Sequence, residues 1–357
     1  MSTFNVGNIE NRYGGAPDFS QGLTVGGTNI TSLVTMTEYH TGASEPSSPA
    51  NGAIWYDGTV IKQYINDGWY TLSAALPPAN SGNRGVFGGG QGGNVIDYIT
   101  VSTTGNATDF GNLTQSNYLL GGCSNGSRGL FGGGYVSSQN TNVIEYITIA
   151  TTGNGTDFGD LTVARRSLNA LSDGTKGVFT GGFVSGDVVT MDYVTVATTG
   201  NAIDFGDLSS GAIPQSCGSC ADFVRGVIRD EYLSTNAYCY ITVATPGNAT
   251  DFGNSTTAGT QASDGCADAT RGVFASTGQT IEYITIQTTG NATDFGDLVI
   301  NGTSNMAALA NDTRAVWGGG QQALNAMQYV TIQTTGNAAD FGDLTVSRYG
   351  LAGASGE

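Results

Sequence analysis

Few residues in this chain could do chemistry. Its 357 residues include one histidine, His40, which leaves little for a Ser-His-Asp triad or a histidine-ligated metal. Cys217-Gly-Ser-Cys220 has the spacing of a metal-ligand or redox pair. A zinc site there would also need Cys239 or Cys266 to converge, and buried or loop thiols are the simpler expectation. The five cysteines (the fifth is Cys123) are odd in number, and four are read as falling outside any recurring place. That is no disulfide framework and fits assembly in a reducing cytosol.

Twelve residues are basic, and six of them recur at one place: Arg84, Arg128, Lys176, Arg225, Arg271 and Arg314. An acid recurs as regularly, at Asp109, Asp157, Asp204, Asp251, Asp294 and Asp340. The matched recurrence predicts that each basic residue pairs with an acid, which fixes geometry more than it adds stability. The functional alternative is one sugar- or ion-binding carboxylate per recurrence, but sixfold repetition is what scaffolding produces. Carboxylate pairs leave glycoside hydrolysis as the enzymatic route the inventory still permits. Asp-Phe-Gly matches the kinase triplet only by accident, since it recurs without a glycine-rich ATP loop and strand lysine.

These residues ride on a repeat. Gly105-Asn-Ala-Thr-Asp-Phe-Gly111 returns at 153–159, 200–206, 247–253, 290–296 and 336–342. Its phenylalanines, Phe110, Phe158, Phe205, Phe252, Phe295 and Phe341, lie 48, 47, 47, 43 and 46 residues apart. Such a period marks one supersecondary unit per repeat. Each unit reads as four strands, exemplified by Ser167–Ser172, Lys176–Phe179, Met191–Val196 and a Thr-Asp-Phe-Gly strand. In Ile144-Glu-Tyr-Ile-Thr-Ile149, Tyr146 points to one face and Ile147 and Ile149 to the other, so both faces must be covered. A sheet covered on both sides by copies of itself is a blade in a ring. Asn106 and its equivalents, several inside Asn-x-Thr sequons, are expected to serve turns.

Phe87-Gly-Gly-Gly90, Phe131-Gly-Gly-Gly134, Phe179-Thr-Gly-Gly182 and Trp317-Gly-Gly-Gly320, with the strand-three tyrosine, resemble the kelch-type β-propeller. Units four and five depart from it, with Arg229-Asp230 and Ala275-Ser276 in place of the glycine pair. The fold expected is all-β: a six-bladed kelch-like propeller over 79–357, preceded by a small β module over 1–78. The first unit lacks a first strand, while Asp343–Ser355 holds a surplus one. The C-terminal strand is therefore expected to complete blade one and leave no long open edge. Unit four is the irregular one, and rule-breaking in a repeat marks Cys217, Cys220, Arg229 and Asp230 as a candidate contact site.

Glycine is abundant at 56 residues, which suits short strands and tight turns over helices. The net charge of −17 argues against nucleic acid and a polybasic membrane anchor. No apolar run is long enough to span a bilayer, and the start shows no secretory signal pattern. In the first module, Phe19–Leu33 reads as short strands around Gly-Gly, Ser44–Asn51 as a loop, and Gly52–Leu72 as a meander with Trp55 and Trp69 as core. Pro46, Pro49, Asn51-Gly52, Ile54-Trp-Tyr-Asp57 and Asp67-Gly-Trp69 resemble a small module of bacteriophage tail-fibre and other virion proteins, and Gly22–Thr31 resembles segments by which such fibres trimerise or dock. The resemblance implies a non-enzymatic virion component assembled in the host cytoplasm, a homo-oligomer and in particular a trimer. Its first module would meet other virion proteins, and its propeller a host surface glycan or protein. Capsid decoration without a receptor role and a polysaccharide-degrading enzyme are the alternative expectations. No cofactor or metal is expected.

Overall fold

The computed structural model describes residues 82–209, 218–230, 236–257, 264–276, 278–300, 304–321 and 324–356, and parts of six strands and Ala53 before them. The chain divides into two compact units, Met1–Pro77 and Pro78–Glu357.

In the first unit, Leu23–Val25 pairs antiparallel with Thr28–Ile30, as the Gly-Gly between them suggests. A separate sheet holds the meander Ile54–Tyr56, Ile61–Ile65 and Gly68–Ser73. Tyr39–Thr41 adds to it in parallel with Ile54–Tyr56, a pairing the local turn signals do not reveal. The expected roles of Trp55 and Trp69 and the Ser44–Asn51 loop lie outside the described residues.

The second unit is a six-bladed β-propeller, six antiparallel sheets of four strands each. In blade two the strands are Gly121–Ser124, Arg128–Gly132, Val143–Thr148 and Thr156–Asp160, in that order from the centre outward. Blade one takes its innermost strand from the far end of the chain. Ala352–Gly356 lies antiparallel to Arg84–Gly88, with Ala354 opposite Val86 and Gly353 opposite Phe87. The residues from Leu344 to Leu351 form the loop that delivers this strand. The closing strand is thus shorter than the stretch expected from sequence.

Side-chain alternation explains the packing. In Arg84-Gly-Val-Phe-Gly88, Val86 enters the core shared with blade two and Phe87 the core shared with blade six. In blade two, Ile144 and Tyr146 join the core shared with blade three, whereas Ile147 and Ile149 join that shared with blade one. Each apolar core lies between two neighbouring blades. Every blade also carries a β-bulge between strands three and four: Ile96 faces Gly111 and Asp97 faces Asp109, so Phe110 is the extra residue. That residue is buried while Asp109 beside it is exposed.

Candidate functional site

The seven-residue repeat turns out to be a stitch between blades. Asn154 Oδ1 accepts from the Asn112 N–H of the preceding blade at 3.0 Å, and Asn106 Oδ1 accepts from Asp343 N–H at 3.1 Å across the closure. Asn201, Asn248, Asn291 and Asn337 do the same. The expected turn role of these asparagines is corrected by this: the amide oxygen serves the neighbouring blade. The second glycine of the motif follows from the same contact. Gly111 has φ 149°, and a Cβ on it would collide with the Gly153 carbonyl of the next blade.

The recurring cations are also corrected. None of the six pairs with the recurring acids among the described residues. Each cation instead lies over the strand-three tyrosine of its own blade, as Arg128 does over Tyr146 at 4.3 Å and Arg271 over Tyr283 at 4.3 Å. Its end then reaches a main-chain carbonyl of the next blade: Arg84 to Ile149 and Ala150, Arg128 to Val196, Lys176 to Ala244, Arg225 to Ile286, Arg271 to Ile332, Arg314 to Val101. Asp109, Asp157, Asp204, Asp251, Asp294 and Asp340 stay exposed on strand four. A part-buried acceptor with restricted access to water gains more from a donor than an exposed carboxylate does.

The acids that do matter to the ring were missed from sequence. They precede the strand-three tyrosine, at Asp97, Glu145, Asp192 and Glu282, with Cys239 and Gln328 at the same position in blades four and six; all six residues are buried. Glu145 accepts from the N–H and hydroxyl of Thr114, both at 2.8 Å, in the loop entering from blade one. Thr162 meets Asp192, Thr256 meets Glu282 and Thr345 meets Asp97 in the same way. Two of these acids also hold a buried arginine from the same loops, Arg165–Asp192 at 2.6 Å and Arg348–Asp97 at 3.0 Å. The signal was present in the sequence: in a strand covered on both faces, a polar residue between apolar ones is buried and must find donors.

Blade four departs from the repeat for the same reason. Arg229 stands where the other blades have Gly88, Gly132 or Gly318, and it is fully buried. It donates to Ser276 Oγ at 2.7 Å and Ser255 Oγ at 2.9 Å and lies 3.6 Å from Glu282. Tyr238 donates to the same carboxylate at 2.7 Å. Burial alone would raise the Glu282 carboxyl, but Arg229 and the hydroxyl donors outweigh it and hold it below its usual range. Arg229 and Ser276, which replace glycines in blades four and five, are therefore parts of one buried network. This corrects the candidate contact site: Arg229 and Cys220 are buried, Asp230 continues strand two opposite Ala237, and Cys217 lies outside the described residues.

The cysteines also prove to be in register. Cys123, Cys220 and Cys266 occupy one position on the innermost strands, opposite Leu130, Val227 and Val273. Burial pushes the Cys123 thiol up to about 12 and raises Cys220 and Cys266 as well, which makes them poor nucleophiles. These strands surround a central cavity of about 70 Å³, lined by Ala, Gly, Ser, Cys and Leu. At one end, Leu119 N–H donates to Gly350 O at 2.6 Å, and Ser167 N–H to Leu119 O at 2.7 Å, drawing successive blades together across the mouth. Leu119, Ser167 and Asn305 take φ between 56° and 59° to make this turn.

Around that mouth the repeat stops being uniform. Two positions per blade face the same side: the residue after the glycine pair and the residue before the left-handed turn. In blade two they are Tyr135 and Tyr118, in blade three Phe183 and Arg166, in blade one Gln91 and Tyr349, in blade six Gln321 and Ser304. Tyr118 packs edge-on against Tyr135, with centroids 5.6 Å apart, and against Tyr349 at 6.1 Å. Arg166 lies over Tyr135 at 4.6 Å and over Phe183 at 4.5 Å. All five side chains are half-exposed. Burial raises the Tyr118 phenol, with Tyr349 and Tyr135 adding to the shift and Arg166 opposing it. Among the described residues no cluster of three or more His, Cys, Asp or Glu is arranged to hold a metal ion. The set can stack on a flat ligand and offer donors to an acid; it contains no activated nucleophile.

No protein-family model matches the chain, and no curated protein is significantly similar to it.

Proposed function

We propose that this is a non-enzymatic bacteriophage virion protein of the tail-fibre or adhesin kind, with its propeller presented to the host surface. The first module would dock on other virion proteins and form a homo-oligomer, a trimer by its resemblance to fibre segments. The observation that supports an attachment role is the division of the repeat. Positions that stitch blades together are nearly uniform, whereas the two positions per blade at the mouth vary and gather half-exposed aromatic rings with a cation. Loops on a rigid scaffold are where recognition residues concentrate. Several copies on one particle would make weak single contacts sufficient through avidity.

Antibody labelling of intact particles tests the placement, and competition of adsorption by the full chain tests the role. Label at the tail, with adsorption blocked by added protein, is the expected result. Label over the capsid without competition would replace attachment by decoration. New reducing ends from host envelope polysaccharide would replace it by an enzyme.

A further inference from the structure

Ten of the basic residues lie in the propeller, and nine are committed to the ring. Six serve the carbonyls of neighbouring blades, and Arg165, Arg229 and Arg348 are buried against strand-three acids. Arg166 is the exception. Among the described residues its guanidinium meets no acid and no main-chain carbonyl. Its Cζ lies over both the Tyr135 and the Phe183 rings. One nitrogen, Nη1, donates to Asn140 Oδ1 at 2.9 Å. The Asn140 amide is itself fixed, since its Nδ2 donates to Phe183 O and Val184 O, both at 3.1 Å. The main chains of Arg166 and Phe183 exchange two hydrogen bonds, 3.1 and 2.7 Å. A guanidinium carries five donors in a planar fork, so Nε and Nη2 are left for something outside the ring.

This arrangement is already ordered before any ligand arrives, which lowers the cost of binding. It is also unusual in its charge. A chain with net charge −17 keeps one uncommitted cation on this face and surrounds it with rings. Stacking alone would not require a charged group there. The fork matches a carboxylate or a phosphate, and the acidic field of the chain penalises a dianion more than a monoanion. Tyr118, Tyr135 and Tyr349 each offer an apolar ring with a polar tip, the surface that suits a sugar with C–H faces and hydroxyl edges. Because the side chains are half-exposed, the ligand lies along an open surface.

We propose that Arg166, Asn140, Tyr118, Tyr135, Tyr349 and Phe183 form a binding site for carboxylated sugars, uronate or sialate units of a surface polysaccharide. Arg166 takes the carboxylate through Nε and Nη2, and the tyrosines pack against the ring of the same or the adjoining sugar. This rests on the attachment reading above and names its ligand class.

The test uses the full chain on dense arrays of oligogalacturonate, oligoalginate, hyaluronan and polysialic acid, each beside its carboxyl-reduced counterpart, with a phosphate-substituted mannan as a further arm. At least one carboxylated probe should bind, and its reduced counterpart should bind about tenfold or more weakly. Arg166→Gln should lose the preference, and Arg166→Lys should recover little, since an ammonium is a point charge without the fork. Tyr349→Ala should weaken binding while leaving the Arg166 sandwich intact, and it carries the test together with carboxyl reduction if the Arg166 variants unfold. Equal binding of carboxylated and reduced probes, binding of the phosphorylated arm alone, no binding to any array member, or Arg166→Gln binding as the parent does would each overturn the site. Adsorption competition separates this failure from the other: competition that persists in Arg166→Gln rejects the site alone, and no competition by the parent chain rejects attachment.

Discussion

The junction between blades two and three and the junction between blades four and five solve one problem from opposite sides. In both, a strand-three acid of the later blade is buried and needs a cation. At the first, Arg165 comes from the connecting loop and spans Asp192, Gly181 O and Phe179 O. At the second, Arg229 comes from strand two of the earlier blade, and hydroxyls from Tyr238, Ser255 and Thr256 share Glu282 with it. These two junctions therefore keep the same charge balance with different residues. A blade that looks degenerate beside its neighbours is held by at least as many bonds.

Removing one partner from either junction should give the largest effect. Arg229→Leu or Arg165→Leu strands a buried carboxylate and should cost about 3–5 kcal/mol, read from denaturant unfolding of the full chain. Replacing Arg165 and Asp192 together by Met and Leu should recover most of that loss. If Arg229→Leu were mild while Arg165→Leu was severe, the two junctions would not be equivalent.

The next effect is in pH. The Glu282 carboxyl is held low, so its contribution is present above its unfolded pKa and is lost as pH falls through the folded one. Asp264, beside the central mouth, goes the other way: burial raises it to about 7, against donation from the Ala308, Gly265 and Ser219 main chain. The native state then holds a proton that the unfolded chain has released, so stability falls as pH rises from about 4 toward 7. Asp264→Asn should flatten that limb, and Glu282→Gln should remove the acid-side loss, both measured as the midpoint of thermal unfolding against pH. Asp264 accepts from Gly265 N–H at 2.9 Å, a bond the asparagine oxygen can keep.

Smaller effects should separate stitches from charges. Asn201→Ala removes one interblade bond and should cost about 1 kcal/mol, adding to Asn337→Ala on the other side of the ring. Arg128 and Asp157 should show no coupling beyond about 0.5 kcal/mol in a double-mutant cycle. A larger value would restore the pairing that matched recurrence first suggests.

The ring was legible in the sequence because period, bulge phenylalanine and surplus terminal strand all belong to a repeat that can be counted. The partners of the repeated residues were not. Arg84 and Asp109 recur in step, yet Tyr98 and the Ile149 carbonyl take the cation, since a long side chain on strand two reaches across to the next blade. The strand-three acids stayed hidden because their position varies among Asp, Glu, Gln and Cys, so no single letter repeats. The aromatic face was harder still: Tyr118 and Tyr135 lie in separate loops, and only the fold brings Tyr349 beside them across the closure.

The pairing of Arg84–Gly88 has a mechanical reading. It is the first strand the chain enters on leaving the preceding module, and it is flanked on one side by Ala352–Gly356 and on the other by Val95–Thr100. Extracting this strand from its sheet would break hydrogen bonds to two neighbours at once, whereas an outer ribbon has only one. The place where the chain joins the propeller is thus also the place where its two ends lock each other, so neither can fray alone.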